Sequence, residues 1–306
     1  MTEATQREQL REGIVAPDYP GPAAADWPDL LQVVENKVKP QRLNDNRENY
    51  ARLWWQYGER RPGLQRALTL VDSALFLCRH SPHLAITRLE AGRIAADSID
   101  VLTIATHAAF AVLQSRVHEV WARLMASSIK DDLRYTPSDS FETFPFPQSF
   151  ETHPALEKAG QAYYDFRAAL MVRNNEGLTK TYNRFHDPGE TSSDITELRR
   201  LHEAMDRAAL DAYRWTNIQP VCEFFPEFDD DEEEESTRTK KHFRYRWPDE
   251  VRDNVLARLL ILNQQRYDEE VLAGLHDRAD SSQTMRRRKS AEVDDGPVED
   301  QGELDL

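Results

Sequence analysis

Two acids and a lysine near the N-terminus match a spacing found in metal-dependent nucleases. Asp18 follows a proline, and Glu35 precedes Lys37 by two positions, which gives the P-D…E-x-K pattern. In such nucleases two carboxylates hold Mg²⁺ and the lysine lies near the attacking water. The chemistry needs both acids on adjacent strands, whereas Asp18 lies in a Pro/Ala-rich stretch and Glu35 in a predicted helix. A nuclease is therefore the least favoured interpretation, and it predicts Mg²⁺-dependent cleavage by the purified chain.

Other catalytic motifs are missing from the sequence. It contains no G-x-x-x-x-G-K-[ST], G-x-G-x-x-G, H-E-x-x-H or G-x-S-x-G motif, and no histidine is paired with cysteine or carboxylate at metal spacing. A base methyltransferase needs a Gly-rich loop for S-adenosylmethionine, and an amino-methylating one also needs [NDS]-P-P-[YF] for the flipped base. Neither occurs. We expect no catalytic residue, no metal and no cofactor in this chain, so on its own it is predicted to be inactive.

Hydrophobic periodicity predicts an α+β fold that is mostly helical, with a small mixed sheet. Short β-capable runs within 73–106 predict the sheet. Apolar residues at helical spacing predict the helices, which are 30–61, 107–128, 154–173, 193–215 and one that starts at Trp247-Pro248. The stretch 177–188 between two of them is polar and predicts a loop.

Composition predicts four regions along the chain. They are an irregular segment (1–30), a region of helices and short strands (31–150), a helical domain (151–275) and a disordered tail (276–306). Within the third region, 226–241 holds an acidic block followed by basic residues, which is typical of a disordered insertion.

Charge is unevenly distributed. The chain carries a net charge of −15, yet residues 37–150 hold fifteen basic and twelve acidic side chains. Lys37 to Arg66 alone holds eight basic against three acidic side chains. A locally basic region in an acidic protein can still meet a phosphate backbone. The alternative is a solvated basic helix face.

A cytoplasmic location is the simplest expectation. No apolar run approaches the roughly 20 residues of a membrane span, and the start of the chain is too polar for a signal peptide. The two cysteines, Cys78 and Cys222, are predicted to be buried thiols in a reducing compartment.

Several ordered motifs resemble one family. The residues Leu113-Gln114-Ser115, His118, Trp121-Ala122, Arg134-Tyr135 and Phe144-Pro145-Phe146-Pro147 match L-Q-S-x-x-H-x-x-W-A, then R-Y, then F-P-[FW]-P. This pattern resembles the end of the target recognition domain of MmeI-like type II restriction-modification methyltransferases and their bacterial phage-defence relatives. Upstream "VKPQR" (38–42) and "WWQYGERRP" (54–62) resemble the same domain, and matches to its C-terminal helical region continue to about residue 270.

The resemblance implies that 31–150 is a partial target recognition domain, and it also implies a function and a partner. Such enzymes transfer a methyl group from S-adenosylmethionine to adenine N6. This chain would supply double-stranded DNA recognition and clamping, while a catalytic methyltransferase chain or a further N-terminal domain supplies the cofactor site. The alternative is a non-catalytic protein-interaction subunit of a defence system, which the acidic insertion and charged tail also fit.

Base-reading candidates lie in the polar half of the segment before the F-P-F-P motif. Arginine reads guanine O6 and N7 with two hydrogen bonds, and aspartate accepts from cytosine N4. If the stretch is extended, residues two apart share a side. The candidates are Lys130, Asp132, Arg134 and Ser138. The alternative is an Asp–Arg pair at the surface, and Phe141, Phe144 and Phe146 are predicted to be structural.

Candidates for DNA backbone contact are basic or amide side chains spread over three regions. Such contacts position a protein on the duplex without reading its sequence. The candidates are Lys37, Lys39, Arg42, Arg60, Arg61, Arg116, Lys180, Asn183 and Arg184. Plain solvation is the alternative for each of them.

Overall fold

The computed structural model describes residues 2–16, 19–58, 61–126, 133–227 and 242–275. The chain divides into two compact units, Met1–Ala67 and Leu68–Leu306. The boundary predicted near residue 150 falls inside the second unit, because helices from both sides of it pack together there.

The first unit consists of short helices, three of which have a proline in their first turn. Pro28 and Pro40 stand in the first turns of their helices, and Pro62 opens another, as expected of a residue that lacks an N–H. The predicted helix 30–61 is thus broken, and Pro62 begins a helix instead of only ending one. The helices are α1 (Glu3–Arg11), α2 (Pro28–Lys37), α3 (Lys39–Leu43), α4 (Glu48–Arg52) and α5 (Pro62–Leu68).

A close approach holds the end of α1 against the tryptophan pair of the first unit. Gly13 has φ +82°, and a Cβ there would lie 2.7 Å from Trp55 Cζ2. The ring of Trp55 meets that of Trp54 edge-on, with centroids 5.7 Å apart. An ion pair between Arg52 and Glu12 adds a second link between α4 and the residue after α1.

The second unit contains the predicted small sheet. Its strands are antiparallel throughout the described residues, so the expected mixed sheet is not found there. The middle strand has both faces largely buried, which fits its uninterrupted apolar sequence. The order is β3-β1-β4, and a short separate pair forms beside it. The strands are β1 (Ser73–Cys78), β2 (His80–Ser81), β3 (Ile86–Glu90), β4 (Ile99–Leu102) and β5 (Leu133–Arg134).

The predicted helix 107–128 is two helices, α6 (His107–Gln114) and α7 (Arg116–Met125). They meet at Ser115, whose extended backbone (ψ 158°) breaks the helical run and whose Oγ donates to the carbonyl of Val112 at 2.7 Å. The sequence of α6 is apolar all round, and the helix is almost entirely buried, as such helices are.

Helices dominate the remainder of the second unit. They are α8 (Pro154–Asn174), α9 (Leu178–His186), α10 (Ser193–Ala212) and α11 (Asp249–Leu272), with β6 (Glu223–Glu227) paired to β7 (His242–Arg246). The prediction of a loop at 177–188 is wrong, because α9 forms there. Tyr182 and Phe185 bury one side of α9 in the core, and this burial stabilises the helix.

Two regions predicted to be disordered mostly lie outside the described residues. Of the insertion 226–241, only the first two positions are described, and they belong to β6. The tail 276–306 is not among the described residues. Within the described part of the chain, no helix has the length and apolar character needed to cross a membrane.

Two buried polar side chains join sheet and helices in the core. Gln114 accepts from Ile86 N at 2.9 Å and donates to Leu84 O at 2.7 Å. Arg167 of α8 donates to Tyr182 OH at 2.8 Å and to the carbonyl of Ile86. These bonds satisfy backbone N–H and carbonyl groups at the start of β3 that have no partner in the β1–β3 ladder.

The two cysteines differ in burial. Cys222 is buried, as predicted, but Cys78 is exposed. Cys78 is the last residue of β1, where the buried part of the strand ends, so the prediction of a buried thiol there is wrong.

Candidate nucleic-acid interface

The motif residues that carry the family resemblance form one packed cluster in the second unit. His118 Nε2 lies 3.0 Å from Tyr135 OH, and the ring of His118 meets Phe144 edge-on at 4.5 Å between centroids. Trp121 Nε1 donates to Thr143 Oγ1 at 3.2 Å. The irregular segment after β5 is therefore anchored on α7 by an arginine-tyrosine motif and an F-P-F-P motif acting together.

The cluster is apolar enough to keep its histidine neutral. Burial lowers the pKa of His118 to about 3, and the charge of Glu119 offsets only part of the loss of water. Burial likewise raises the pKa of Tyr135. Both groups are neutral near pH 7, so this pair acts in structure and not in proton transfer.

The aromatic residues predicted to be structural pack on the same cluster. Phe144 is buried, while Phe141 and Phe146 are partly buried. Phe146 stacks on Phe150 with centroids 4.5 Å apart. The prolines between them fix an extended path that lets successive rings reach the core.

Arg134 is the one exposed side chain between two anchored neighbours. Leu133 and Tyr135 are buried, and alternation along β5 turns Arg134 to the opposite side. β5 pairs with β2, so that Arg134 lies opposite His80, which is also exposed. The geometry presents a guanidinium to solvent on a fixed backbone, as base reading requires.

The other base-reading candidates are placed differently. Lys130 and Asp132 lie outside the described residues, so the predicted sharing of one side by Asp132 and Arg134 is not observed. Ser138 is exposed in the π-helical turn Pro137–Phe141, and its hydroxyl donates to Asp139 Oδ1 at 3.1 Å.

The candidates Lys180, Asn183 and Arg184 sit on α9, not on a loop. Lys180 is exposed and 3.4 Å from Glu176. Asn183 is exposed, and its Oδ1 lies 2.8 Å from His83 Nε2, which connects α9 to the turn after β2. His83 lies two residues after β2, the strand that pairs with β5.

Arg184 is a poor candidate for DNA contact. Its Nε donates to Glu190 at 2.8 Å, its Nη1 to Glu176 at 3.0 Å and its Nη2 to Ser192 at 3.2 Å. A hydrogen bond from Arg184 also lowers the pKa of Glu190 to about 2. The guanidinium closes the turn between α9 and α10, so phosphate would have to displace carboxylates.

The prediction that Arg116 contacts the DNA backbone is wrong, because its side chain is buried. Its Nη1 lies 2.7 Å from Asp206 Oδ2 and 2.7 Å from His202 Nδ1. Its backbone N–H also donates to Asp206 at 2.8 Å. Arg116 thus links α7 to α10, and an arginine whose charge is neutralised inside the core cannot reach a duplex.

The remaining backbone candidates lie in the first unit. Lys37 is exposed at the end of α2. Lys39 pairs with Glu35 and lies 4.8 Å from the centroid of Trp54. Arg42 stacks over Tyr50 at 4.5 Å, and Arg61 is exposed. Arg60 lies outside the described residues.

The nuclease interpretation finds no support in the geometry. Glu35 and Lys37 are two residues apart on α2, where side chains do not face each other. Asp18 is not described. In the described ranges, no three histidine, cysteine, aspartate or glutamate side chains form a group able to hold a metal ion.

Sequence reasoning missed His83, a buried histidine that links α9 to the turn after β2. It stacks on His186 of α9 at 5.0 Å between centroids, and burial lowers its pKa. His83 and Asn183 are 100 positions apart, so no spacing in the sequence signals their pairing.

Comparison with known proteins agrees with the motif analysis. Residues 11–148 match the family model described as MmeI, target recognition domain, which confirms the predicted resemblance for that part of the chain. The family match runs across the division between the two units. Among curated proteins none matches.

One solved structure has a similar fold, that of the type IIL restriction-modification enzyme MmeI in complex with DNA. The two share a TM-score of 0.53 at 16% sequence identity, and the match covers 85% of this chain. The similarity confirms the mostly helical α+β prediction beyond residue 148. This chain spans about 30% of the length of that enzyme.

Proposed function

We propose that this chain is the DNA target recognition and clamping part of a restriction-modification DNA methyltransferase. The observation that carries the proposal is the match of residues 11–148 to a target recognition domain, in which the matching motifs anchor the segment around an exposed Arg134. The MmeI structure of similar fold contains DNA. In this proposal the motif cluster fixes the backbone, and side chains that point away from it meet the duplex.

The proposed surface in the second unit joins β5 to α9. Arg134 would read a base edge in the major groove, and Ser138 would assist it. Lys180 and Asn183 would contact phosphates beside it. Lys130 and Asp132 precede Arg134 by a few residues and remain candidates by sequence. Each of these roles can be removed singly by substitution.

The first unit would add phosphate contacts. Lys37 is the best candidate there because it is exposed at a helix end. Lys39, Arg42 and Arg61 would assist it, and Arg60 remains a candidate by sequence. Lysine and arginine release counterions when they neutralise phosphates, which makes such binding fall with salt.

We propose that catalysis comes from elsewhere. The complete enzyme would methylate adenine N6 with S-adenosylmethionine, in the cytoplasm of a bacterium that uses it in phage defence. A catalytic methyltransferase chain or a further N-terminal domain would hold the cofactor, since the Gly-rich loop and [NDS]-P-P-[YF] motif are missing from this sequence.

Selection from a random pool tests the proposed recognition. The full chain is incubated with a pool of duplexes randomised at their centre, and the bound duplexes are recovered and sequenced. We expect one short sequence to be enriched over the input. An unchanged pool after several rounds, although the protein is folded, would contradict target recognition.

One observation favours a second function, that of a protein-binding subunit. Among the described residues of the first unit, the buried apolar side chains are only Ala16 and Ala23, while Trp27, Leu30 and Val33 are at least half exposed. Exposed apolar groups of this size mark protein interfaces. The catalytic chain is the expected partner. The second function would be favoured if this chain binds the catalytic chain stably and neither this chain alone nor the complex of the two binds DNA.

A further inference from the structure

A cavity of about 460 Å³ lies in the second unit between α7, the β6–β7 pair and the start of α11. Its polar wall is rich in arginine and includes Arg123, Arg244, Arg246 and Arg252. Val120, Leu124 and Leu256 supply an apolar wall. A volume of this size is typical of sites for small organic ligands.

Two buried nitrogen donors in the lining of this cavity lack a partner. Arg244 is 5% exposed and Trp247 is 1% exposed. Neither Arg244 Nη1 nor Trp247 Nε1 has a hydrogen-bond partner among the described residues. The nearest acid to Arg244 Nη1 is Glu119, at 3.8 Å, which is beyond hydrogen-bond distance. Buried donors without acceptors cost free energy, so the pair favours a ligand that brings acceptors.

The guanidinium groups of the lining are paired with carboxylates. The lining holds five arginines, with Arg116 as the fifth, against Glu119, Glu227 and Asp253. Asp206 neutralises Arg116 inside the core, while Asp249 pairs with Arg246 and Arg252 at the surface, where a competing anion can reach both guanidinium groups. Burial raises the pKa of Glu119, but Arg123, Arg244 and Arg116 outweigh it and lower that pKa to about 2. Glu119 is therefore ionised near pH 7. A neutral apolar ligand would leave both unpartnered donors unsatisfied.

We propose that this cavity binds the phosphate group of a small organic phosphate. A phosphate monoester carries about −1.5 to −2 charges near pH 7 and offers three strong acceptor oxygens. These oxygens match the two unpartnered donors, and the partly exposed guanidinium groups of Arg246 and Arg252 can bind phosphate with two parallel hydrogen bonds. The organic part of the ligand rests on the apolar wall of Val120, Leu124 and Leu256. A carboxylate brings only one charge and two oxygens to the same donors.

Arg246 and Arg252 control entry to this site. Their side chains are 28% and 38% exposed and both contact Asp249, whereas Arg244 is fixed inside by Glu227. Arg252 can therefore be changed without opening the core. Trp247 can be changed to phenylalanine, which keeps an aromatic ring and removes the pyrrole part of the indole with its Nε1 donor.

Calorimetric titration of the full chain with adenosine 5′-monophosphate tests this site. We expect saturable binding of the nucleotide, weaker binding of inorganic phosphate, and no binding of adenosine or of acetate. Arg252→Gln removes one charge-assisted contact and is expected to weaken nucleotide binding about tenfold. Trp247→Phe is expected to weaken it several-fold, because an acceptor oxygen loses its donor.

Matched controls use residues that do not line the cavity. Arg258→Gln changes an arginine on the same helix α11 that contacts Asn217, and Trp215→Phe changes a partly buried tryptophan. Both controls are expected to bind the nucleotide as the unchanged chain does. Circular dichroism of every variant confirms that it is folded. Absence of nucleotide binding to the unchanged chain, or equal binding by all four variants, would overturn the proposal.

Competition with duplex DNA distinguishes a phosphate of DNA from a free organic phosphate as the ligand of the cavity. If duplex DNA displaces the bound nucleotide, the cavity takes a phosphate of DNA; if DNA binds without displacing it, the ligand is a free organic phosphate. Either result supports a phosphate site. The site is independent of the proposed DNA recognition, since nucleotide binding by a chain that fails to bind DNA would leave this site in place and reject only the recognition function.

Discussion

At the scale of a single residue, Arg134 is an exposed side chain whose backbone is held by two buried neighbours. Tyr135 is held by His118 at 3.0 Å, and Leu133 is buried, so the backbone of Arg134 is fixed from both sides. The side chain between them is exposed. A fixed backbone with one free guanidinium is the arrangement that direct reading of guanine needs.

Arg134→Gln is expected to weaken binding to the preferred duplex by about 1–3 kcal/mol and to relax selectivity at one base position. The loss follows from removing a two-bond contact to a base edge. Fluorescence anisotropy with the selected duplex and its single-base variants measures it. Arg93→Gln, an exposed arginine paired with Glu90, is the control and is expected to change neither value. Equal effects of both substitutions would show that Arg134 contributes only charge.

The buried His118 predicts a loss of stability in acid. Its pKa falls from 6.5 to about 3 on burial, so the unfolded chain binds a proton in this window that the folded chain does not. The free energy of unfolding therefore falls as the pH drops from above 6.5 toward 3, by up to roughly 1 kcal/mol per pH unit. Urea unfolding of the chain and of His118→Gln between pH 7 and pH 4 measures the effect.

His118→Gln is expected to be less stable at pH 7 and to lose less stability on acidification. The histidines His83, His186 and His202 also have lowered pKa values, because burial disfavours their charged forms, and they contribute a shared background in both proteins. Identical pH dependence in the two proteins would mean that His118 is protonated without penalty.

Sequence motifs made both Arg134 and Arg116 candidates for DNA contact, but only Arg134 is exposed. The type of Arg134 and its place beside a tyrosine indicated a base-reading candidate from sequence. Arg116 had the same charge and an equally polar neighbourhood, yet it is buried against Asp206 of α10. The two positions differ in a contact made 90 residues away, which local sequence does not encode.

At the scale of elements, α6 and α8 form the closest helix contact in the second unit. A Cβ added to Gly160 of α8 would lie 2.1 Å from the carbonyl oxygen of His107 and 3.0 Å from Ala111 Cβ. Glu157, one turn earlier, accepts from Ala108 N at 2.7 Å and so satisfies a free donor at the start of α6. The absence of a side chain at position 160 is what lets the helices approach.

Gly160→Ala is expected to destabilise the chain by roughly 1–3 kcal/mol, because the backbone of α6 must move to admit a methyl group. Urea unfolding measures the change. Gly92→Ala is the control, since a Cβ there would meet nothing within 4 Å and is expected to leave stability nearly unchanged. A stability equal to that of the unchanged chain for Gly160→Ala would contradict the close packing of α6 on α8.

Strong apolar patterns predicted elements well, and weak ones did not. The strands within 73–106 and the helices near 154–173 and 193–215 lie where periodicity predicted them. α9 was missed, since its nine residues carry only Tyr182 and Phe185 as large buried side chains in a polar sequence. Its helical state depends on tertiary packing, which a window of local sequence cannot reveal.

At the scale of the whole molecule, the net charge does not predict which part of the chain is basic. The chain is acidic overall, while Lys37 to Arg66 holds eight basic and three acidic side chains. The division of the chain at residue 67 was not predictable, because the family pattern runs through it without interruption.

Direct measurement of DNA binding tests the central claim. The full chain is titrated into a fluorescent duplex, and the dissociation constant is measured between about 50 and about 200 mM salt. The account predicts binding that weakens steeply with salt, with a slope reduced by about one for Lys37→Gln and unchanged for Arg93→Gln. A folded chain that does not bind the duplex at the lowest salt concentration would contradict the claim.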